Sequence, residues 1–567
     1  MKRRTLIAAS SGLFALQAHA LQADALKAPA LNSSPVSRTP AAPSALPDLQ
    51  EASATQLAAA LQAGRTTAEA LVKGYSARIE ALDRRGPKLN SVIEMNPDAL
   101  AIARERDAER RAGKLRGALH GLPVLLKDNI ATADRMSTSA GSLALDGVRA
   151  LRDAHLVQRL RDAGAVILGK TNLSEWANIR STRSTSAWSA RGGLTRNPYA
   201  LDRSTSGSSS GTGAAIAASL CALGVGTETD GSIVSPASVN GLVGLKPTLG
   251  RISRAGVIPI AHSQDTAGPM TRTVADAALL YAAMVGADAD DPITQNFTQN
   301  FTQNSTQNIT QNITRHVAQK APALRAGEDR LTPATLKGLR LGVARAYFTN
   351  HDEADAVIEA AIAKLRELGA TIVDDAGLPA PGYGDAELSV LLYELKHGLP
   401  LWLKAYAPQA KVQTLADIIA FNQANAARAM PWFRQELFEK AQTLGGLDSP
   451  AYLEALAACV KGARTEGLDR AFDTHQLDAL IAPTGGPAWL IDPVNGDHYG
   501  ASFSTPAAVA GYPHLTVPAG YVQGLPLGLS FVGRPFTESA LLAMGLAFEQ
   551  ATQHRRAPAF VKRSAPV

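Results

Sequence analysis

Two runs of small residues, separated by one apolar segment, constrain this chain more than any other feature in it. The first, Ser204 to Gly213, is almost wholly Ser, Thr and Gly, and the second runs from Gly226 and Thr227 to Gly231 and Ser232. Between them lies Ala214 to Leu223, rich in Ala and Leu, which reads as a short buried helix. A flexible Gly/Ser linker would not enclose an apolar helix. Two small-residue loops closed on a packed helix gather hydroxyls and free backbone N–H groups in one place. Such an arrangement sets a nucleophile beside an anion hole.

The rest of the composition narrows the function. Hydrophobic residues make up 46% of the 567 positions and charged ones 19%, which is enough for a large core. The formal charge of +6 owes three units to Lys2, Arg3 and Arg4. No Lys/Arg stripe with interleaved aromatics occurs, so no nucleic-acid partner is expected. Cys221 and Cys459 make neither a disulfide framework nor a metal site. His120, His262, His475, His498 and His514 lack ligand spacing, and H-E-x-x-H, C-x-x-C and Walker sequences are missing. Neither a metal nor a cofactor is therefore expected.

Residues 1–20 open on Lys2-Arg-Arg, continue through a mildly apolar stretch and end in Ala18-His-Ala20. That is a signal peptide, too short to remain as a membrane span. Arg3-Arg4 also fits a twin-arginine signal, so both export routes stay open. The expected location is outside the cytosol, in the periplasm, without stable membrane insertion. Residues 21–50, rich in Ala and Pro, read as a disordered leader, and folded character spans 51–555.

Within that span strands and helices interleave, which defines the α/β class. Val124 to Leu126 reads as a short buried strand delivering Lys127, a residue that in isolation looks like a snorkelling surface lysine. The polar segment Ser181–Arg203 reads as a pocket-shaping loop, and residues 384–475 as mainly helical, with Trp402, Tyr406, Trp432 and Phe433 as core or pocket aromatics. Ser504–Phe531 reads as short strands and turns. At about 293–316 a Thr-Gln-Asn repeat creates five N-x-[ST] sites, at Asn296, Asn300, Asn304, Asn308 and Asn312. A glycosylated stalk is one reading. A low-complexity loop insertion is the simpler one, since doubling a loop costs only about 0.6 kcal/mol.

Three nucleophile schemes can be compared by pattern. Gly207-Ser-Ser-Ser-Gly211 matches G-x-S-x-G, which would make Ser209 the nucleophile, but that elbow must follow an apolar strand and Pro198–Ser206 is not one. The S-x-x-K arrangement does not occur. What remains is Lys127 with two of the loop serines.

Here the chain resembles the amidase signature family. Ser206-Gly-Ser-Ser-Ser-Gly211, Gly226-Thr-Glu-Thr-Asp-Gly-Ser-Ile233 and Gly244-Leu-Lys-Pro-Thr248 resemble its signature blocks. His120–Asp128 is similar to the family's catalytic-lysine segment, and Gly268–Ala277 and Gly524–Pro535 to its later blocks. The resemblance implies a single large α/β/α domain with a central mixed sheet covered by helices. It implies Ser232 as nucleophile, Ser208 as bridging serine after a cis Gly207–Ser208 peptide, and Lys127 as base. The anion hole would be the backbone N–H groups of Thr229, Asp230 and Gly231.

Glu228 stands where the family usually has Asp, and Asp230 where it has Gly. A carboxylate beside a developing oxyanion repels it, so Asp230 must turn away or present itself to the substrate cleft. Ser186–Tyr199 and Gly226–Ser232 look most like the bacterial peptide amidases, which release ammonia from C-terminal peptide amides. The implied partner is thus a small-molecule or peptide amide, with no obligate protein partner. Small aliphatic or aromatic amides are the alternative substrates, and a silent amidase-like binding protein is a further alternative.

Overall fold

The short apolar runs of the sequence become the strands of one sheet. The computed structural model describes residues 48–295 and 336–564. The signal peptide, nearly all of the leader, and the Thr-Gln-Asn repeat beyond Gln295 lie outside the described residues. The strands are β1 (Val92–Met95), β2 (Pro123–Lys127), β3 (Val166–Thr171), β4 (Trp188–Ser189), β5 (Gly193–Leu194), β6 (Leu223–Glu228), β7 (Val243–Lys246), β8 (Thr266–Thr271), β9 (Arg340–Val343), β10 (Thr371–Val373), β11 (Ala479–Pro483), β12 (His514–Val522) and β13 (Leu525–Val532).

Eleven of them form one sheet in the order β1-β3-β2-β6-β8-β7-β12-β13-β11-β9-β10, while β4 and β5 make a separate hairpin. The sheet is mixed. β2 runs parallel to β3 and β6, and β9 parallel to β10 and β11; the other pairs are antiparallel.

Helices cover both faces, as strand alternation requires. On β12, Leu515 and Val517 meet Gly545 of the helix Glu538–Thr552, where an added Cβ would stand 2.7 Å from Leu515. Thr516 points the other way, toward Gly528, whose N–H donates to Ser238 of the helix Val234–Val239. Central strands β2, β3 and β6 are buried along their whole length, which explains why they are apolar or small apart from Lys127, Lys170 and Glu228 near their ends.

Two local expectations need correction. The Ala-rich helix spans Ser210–Ala217, so it begins inside the first Gly/Ser loop and ends well before Leu223, which opens β6. The second small-residue run is thus partly a strand. Gly224 is the reason: an added Cβ would lie 2.7 Å from both Ile216 and Thr212 of the helix, so glycine lets helix and strand touch. Further on, Ser504–Ala510 is a helix rather than strand and turn. Pro506 sits in its first turn, and Gly511 closes it with a left-handed φ of 72°.

Candidate active site

Lys127 ends β2 with its side chain fully buried, so the surface reading of this lysine fails. Its Nζ lies 2.7 Å from Ser208 Oγ, 3.0 Å from Thr227 O and 2.9 Å from Thr227 Oγ1 on the neighbouring strand β6. Asn129 Nδ2 donates to the same Thr227 hydroxyl at 2.9 Å. A neutral amine has two hydrogens and one lone pair. It can donate to both Thr227 oxygens and accept the Ser208 proton. Burial pushes Lys127 down to about 7, against the upward pull of the Asp265 and Glu228 carboxylates.

Ser208 follows a cis peptide bond from Gly207. Gly207 tolerates no side chain, because an added Cβ would lie 2.2 Å from Ser174 Oγ. Ser208 O accepts the Ser174 N–H at 3.1 Å, which ties the loop to the segment after β3. Ser209, the G-x-S-x-G alternative, is fully buried, and its hydroxyl donates to Thr227 O at 3.1 Å. It is a strut.

Ser232 is 8% exposed and joins the first loop through main chain, Ser209 N–H to Ser232 O at 3.2 Å. Its hydroxyl has no hydrogen-bond partner among the described residues. In the backbone just before it, two carbonyls have donors. Thr229 O accepts from Gln264 Nε2 at 3.3 Å, and Gly231 O accepts from Ser235 N at 2.9 Å. Among the described residues, the N–H groups of Thr229, Asp230, Gly231 and Ser232 have no acceptor. Gly231 makes the turn with φ 76°. The next two N–H groups, of Ile233 and Val234, donate to Glu228 Oε2 at 2.8 and 3.1 Å.

Asp230 turns aside. Its Oδ2 accepts the Thr505 hydroxyl at 2.6 Å, from the start of the helix Ser504–Ala510, while Oδ1 is buried without a hydrogen-bond partner among the described residues. Burial raises the Asp230 carboxyl above its usual range. Glu387, pushed up to about 8 by burial and by Asp230, stands nearby on the helix Gly384–Tyr406.

The Ser181–Arg203 loop forms part of the surround. Ser186 Oγ would lie 3.2 Å from a Cβ on Gly207, and Trp188 packs edge-on against Phe433 at 5.3 Å. Trp402 and Tyr406 stack on each other in the core instead. Tyr499 stands with its hydroxyl 3.9 Å from a Cβ on Gly231 and its ring against Trp489, whose Nε1 donates to Asp497. A cavity of about 530 Å³ lined by Tyr347, Tyr383 and Pro506 opens beside Thr505, apart from Lys127 and Ser208. Hydrogen bonds rather than that cavity define the site. Among the described residues, no cluster of His, Cys, Asp or Glu is arranged to hold a metal, and no helix is long and apolar enough to cross a membrane.

Sequence reasoning named Thr227 without its contact to Lys127, and it missed Gln264, Asp265, Glu387 and Thr505. Gln264-Asp265 carried a faint signal, a polar pair set just before the buried strand β8. Glu387 and Thr505 come from far along the chain, and no spacing announces them.

Comparison with known proteins places this arrangement. Residues 70–542 match the Amidase family model. The chain belongs to the amidase family, the amidase signature hydrolases, and is an amidase. More particularly, it is 49% identical to the solved peptide amidase of Stenotrophomonas maltophilia, with 90% of this chain and 99% of that one covered and a TM-score of 0.81. It is 38% identical to a probable amidase of Arabidopsis thaliana, over 90% of this chain and 92% of the relative. A glutamyl-tRNA(Gln) amidotransferase subunit of Myxococcus xanthus is 34% identical, over 92% of this chain and all of that protein. The mixed sheet with its helices is the fold of the peptide amidase neighbours.

Proposed function

We propose that this amidase hydrolyses the C-terminal carboxamides of peptides, with Ser232 as nucleophile, Ser208 as proton relay and Lys127 as base. The observation that carries the chemistry is a fully buried Lys127 amine 2.7 Å from Ser208 Oγ, next to a loop in which the N–H groups of Thr229 to Ser232 have no acceptor among the described residues. The peptide substrate rests on the likeness to peptide amidase.

Ser232 Oγ attacks the amide carbon and forms a C–O bond, passing its proton to Ser208 as Ser208 passes its own to Lys127. The carbonyl π electrons move onto oxygen, and the N–H groups of Thr229, Asp230 and Gly231 bind that oxyanion. Collapse breaks the C–N bond while the proton returns from Lys127 through Ser208 to nitrogen, and ammonia leaves. Water then repeats the sequence on the Ser232 ester and frees the carboxylate.

The test is ammonia release from an amidated dipeptide and from benzamide, with Ser232→Ala alongside. The peptide amide should turn over faster, and the variant should lose about 10⁴- to 10⁶-fold in kcat. Turnover of benzamide alone would overturn the substrate class. Undiminished activity of Ser232→Ala would overturn the mechanism.

A further inference from the structure

Thr229 is gripped at two points. Its hydroxyl donates to Asp265 Oδ1 at 2.5 Å, and Asp265 Oδ2 is itself held by the N–H groups of Ile260 and Ala261 at 2.8 and 2.9 Å. Its carbonyl accepts from Gln264 Nε2 at 3.3 Å, and the same amide nitrogen donates to Glu387 Oε1 at 2.9 Å. Both hydrogens of the Gln264 amide are thereby used, one on the anion loop and one on the helix Gly384–Tyr406. Gln264 is 3% exposed, so no water competes freely for them.

In a planar trans peptide the carbonyl of one residue and the N–H of the next point in opposite directions. Holding Thr229 O toward Gln264 therefore turns the Asp230 N–H away from it, to the side where no described residue accepts it. We infer that Gln264, steadied by Glu387, is a positioning residue that aims the Asp230 N–H at the oxygen of the reacting amide.

This inference rests on reading residues 229–231 as the anion hole. A misaimed donor loses transition-state stabilisation and leaves ground-state binding almost untouched, because the oxyanion is where the charge develops. Gln264 touches no reacting atom. Its effect passes through the peptide plane.

The experiment compares Gln264→Leu and Glu387→Ala with the wild-type chain, using an amidated dipeptide, or benzamide if that is the amide that turns over. Each chain is also titrated with an aldehyde analogue of the substrate, which forms an oxyanion adduct on a nucleophilic serine. Gln264→Leu should lower kcat by about 10- to 100-fold with KM within about twofold, below the ~10²–10³ of deleting a donor outright. Aldehyde affinity should fall by the same factor as kcat/KM. Glu387→Ala, which removes only the acceptor that steadies the amide, should show the same pattern at about 3- to 10-fold. It also keeps the test decisive if Gln264→Leu does not fold. Wild-type kcat in both variants, a loss carried by KM, or a kcat loss with unchanged aldehyde affinity would overturn the inference. If Ser232→Ala were active, or mass spectrometry found the aldehyde elsewhere than on Ser232, the underlying site reading would fail instead.

Discussion

Lys127 and Lys170 lie on adjacent parallel strands, one register position apart, and both are fully buried. Strand alternation sends them to opposite faces of the sheet, since Lys127 is level with Thr171 and Lys170 with Leu126. Burial lowers both amines below the usual lysine range. Their surroundings differ. Lys170 donates to Ile130 O at 2.5 Å and to Thr138 Oγ1 at 3.2 Å, with the Asp128 carboxylate opposing the shift. Lys127 reaches the Ser208 hydroxyl, next to a loop whose 229–232 N–H groups have no acceptor among the described residues. Desolvation alone thus does not make a base. The proposed mechanism also asks for a proton donor within reach and an anion site beyond it, and of these two lysines Lys127 is the one that stands beside Ser208 and the 229–232 loop.

The contrast can be broken by substitution. The largest effect belongs to Lys127→Ala, which should lower kcat by about 10²- to 10⁴-fold, the range for losing a general base. Lys170→Met should instead leave kcat of the folded protein within about threefold. Its cost should fall on stability, about 1–3 kcal/mol from the urea midpoint, because the buried Ile130 O and Thr138 Oγ1 lose their amine partner. If Lys170→Met matched Lys127→Ala in kcat, the division of roles would be wrong. The smallest effect is the most specific. Glu228→Gln keeps an oxygen for the Ile233 and Val234 N–H groups and removes one of the charges that raise Lys127. The acid limb of kcat/KM should move to lower pH while kcat on the plateau stays within about threefold. A limb that stayed in place or moved up would contradict the assignment of that limb to Lys127.

Much of this was legible in the sequence, and for identifiable reasons. Apolar runs such as Val124–Leu126 and Ala479–Ala482 became strands, because a sheet covered on both faces leaves its central strands no polar side. Strand Leu223–Glu228 was missed, Leu223 being read as the end of the helix and the run from Gly226 as loop, because Gly224 answers to the packing of Thr212 and Ile216 and Gly226 to that of Ser209 and Met270, which a local pattern does not contain. The motif residues Lys127, Ser208 and the 229–232 loop could be named in advance, and the structure brings them to one corner of the sheet. The direction of Asp230 could not, since Thr505 lies 275 positions further on. Nor could the hold of Gln264 on Thr229 O, which depends on where the chain returns through β8.

In the proposed mechanism Lys127 works as a neutral base in the free protein. The pH dependence of kcat/KM tests it most directly, because it reports the ionisations of the unliganded enzyme. Below about pH 7 the Lys127 amine takes up a proton, loses its lone pair and can no longer draw the proton from Ser208. kcat/KM should rise along an acid limb with its midpoint near 7 and level off above it. A profile flat from pH 5 to pH 9 would contradict it.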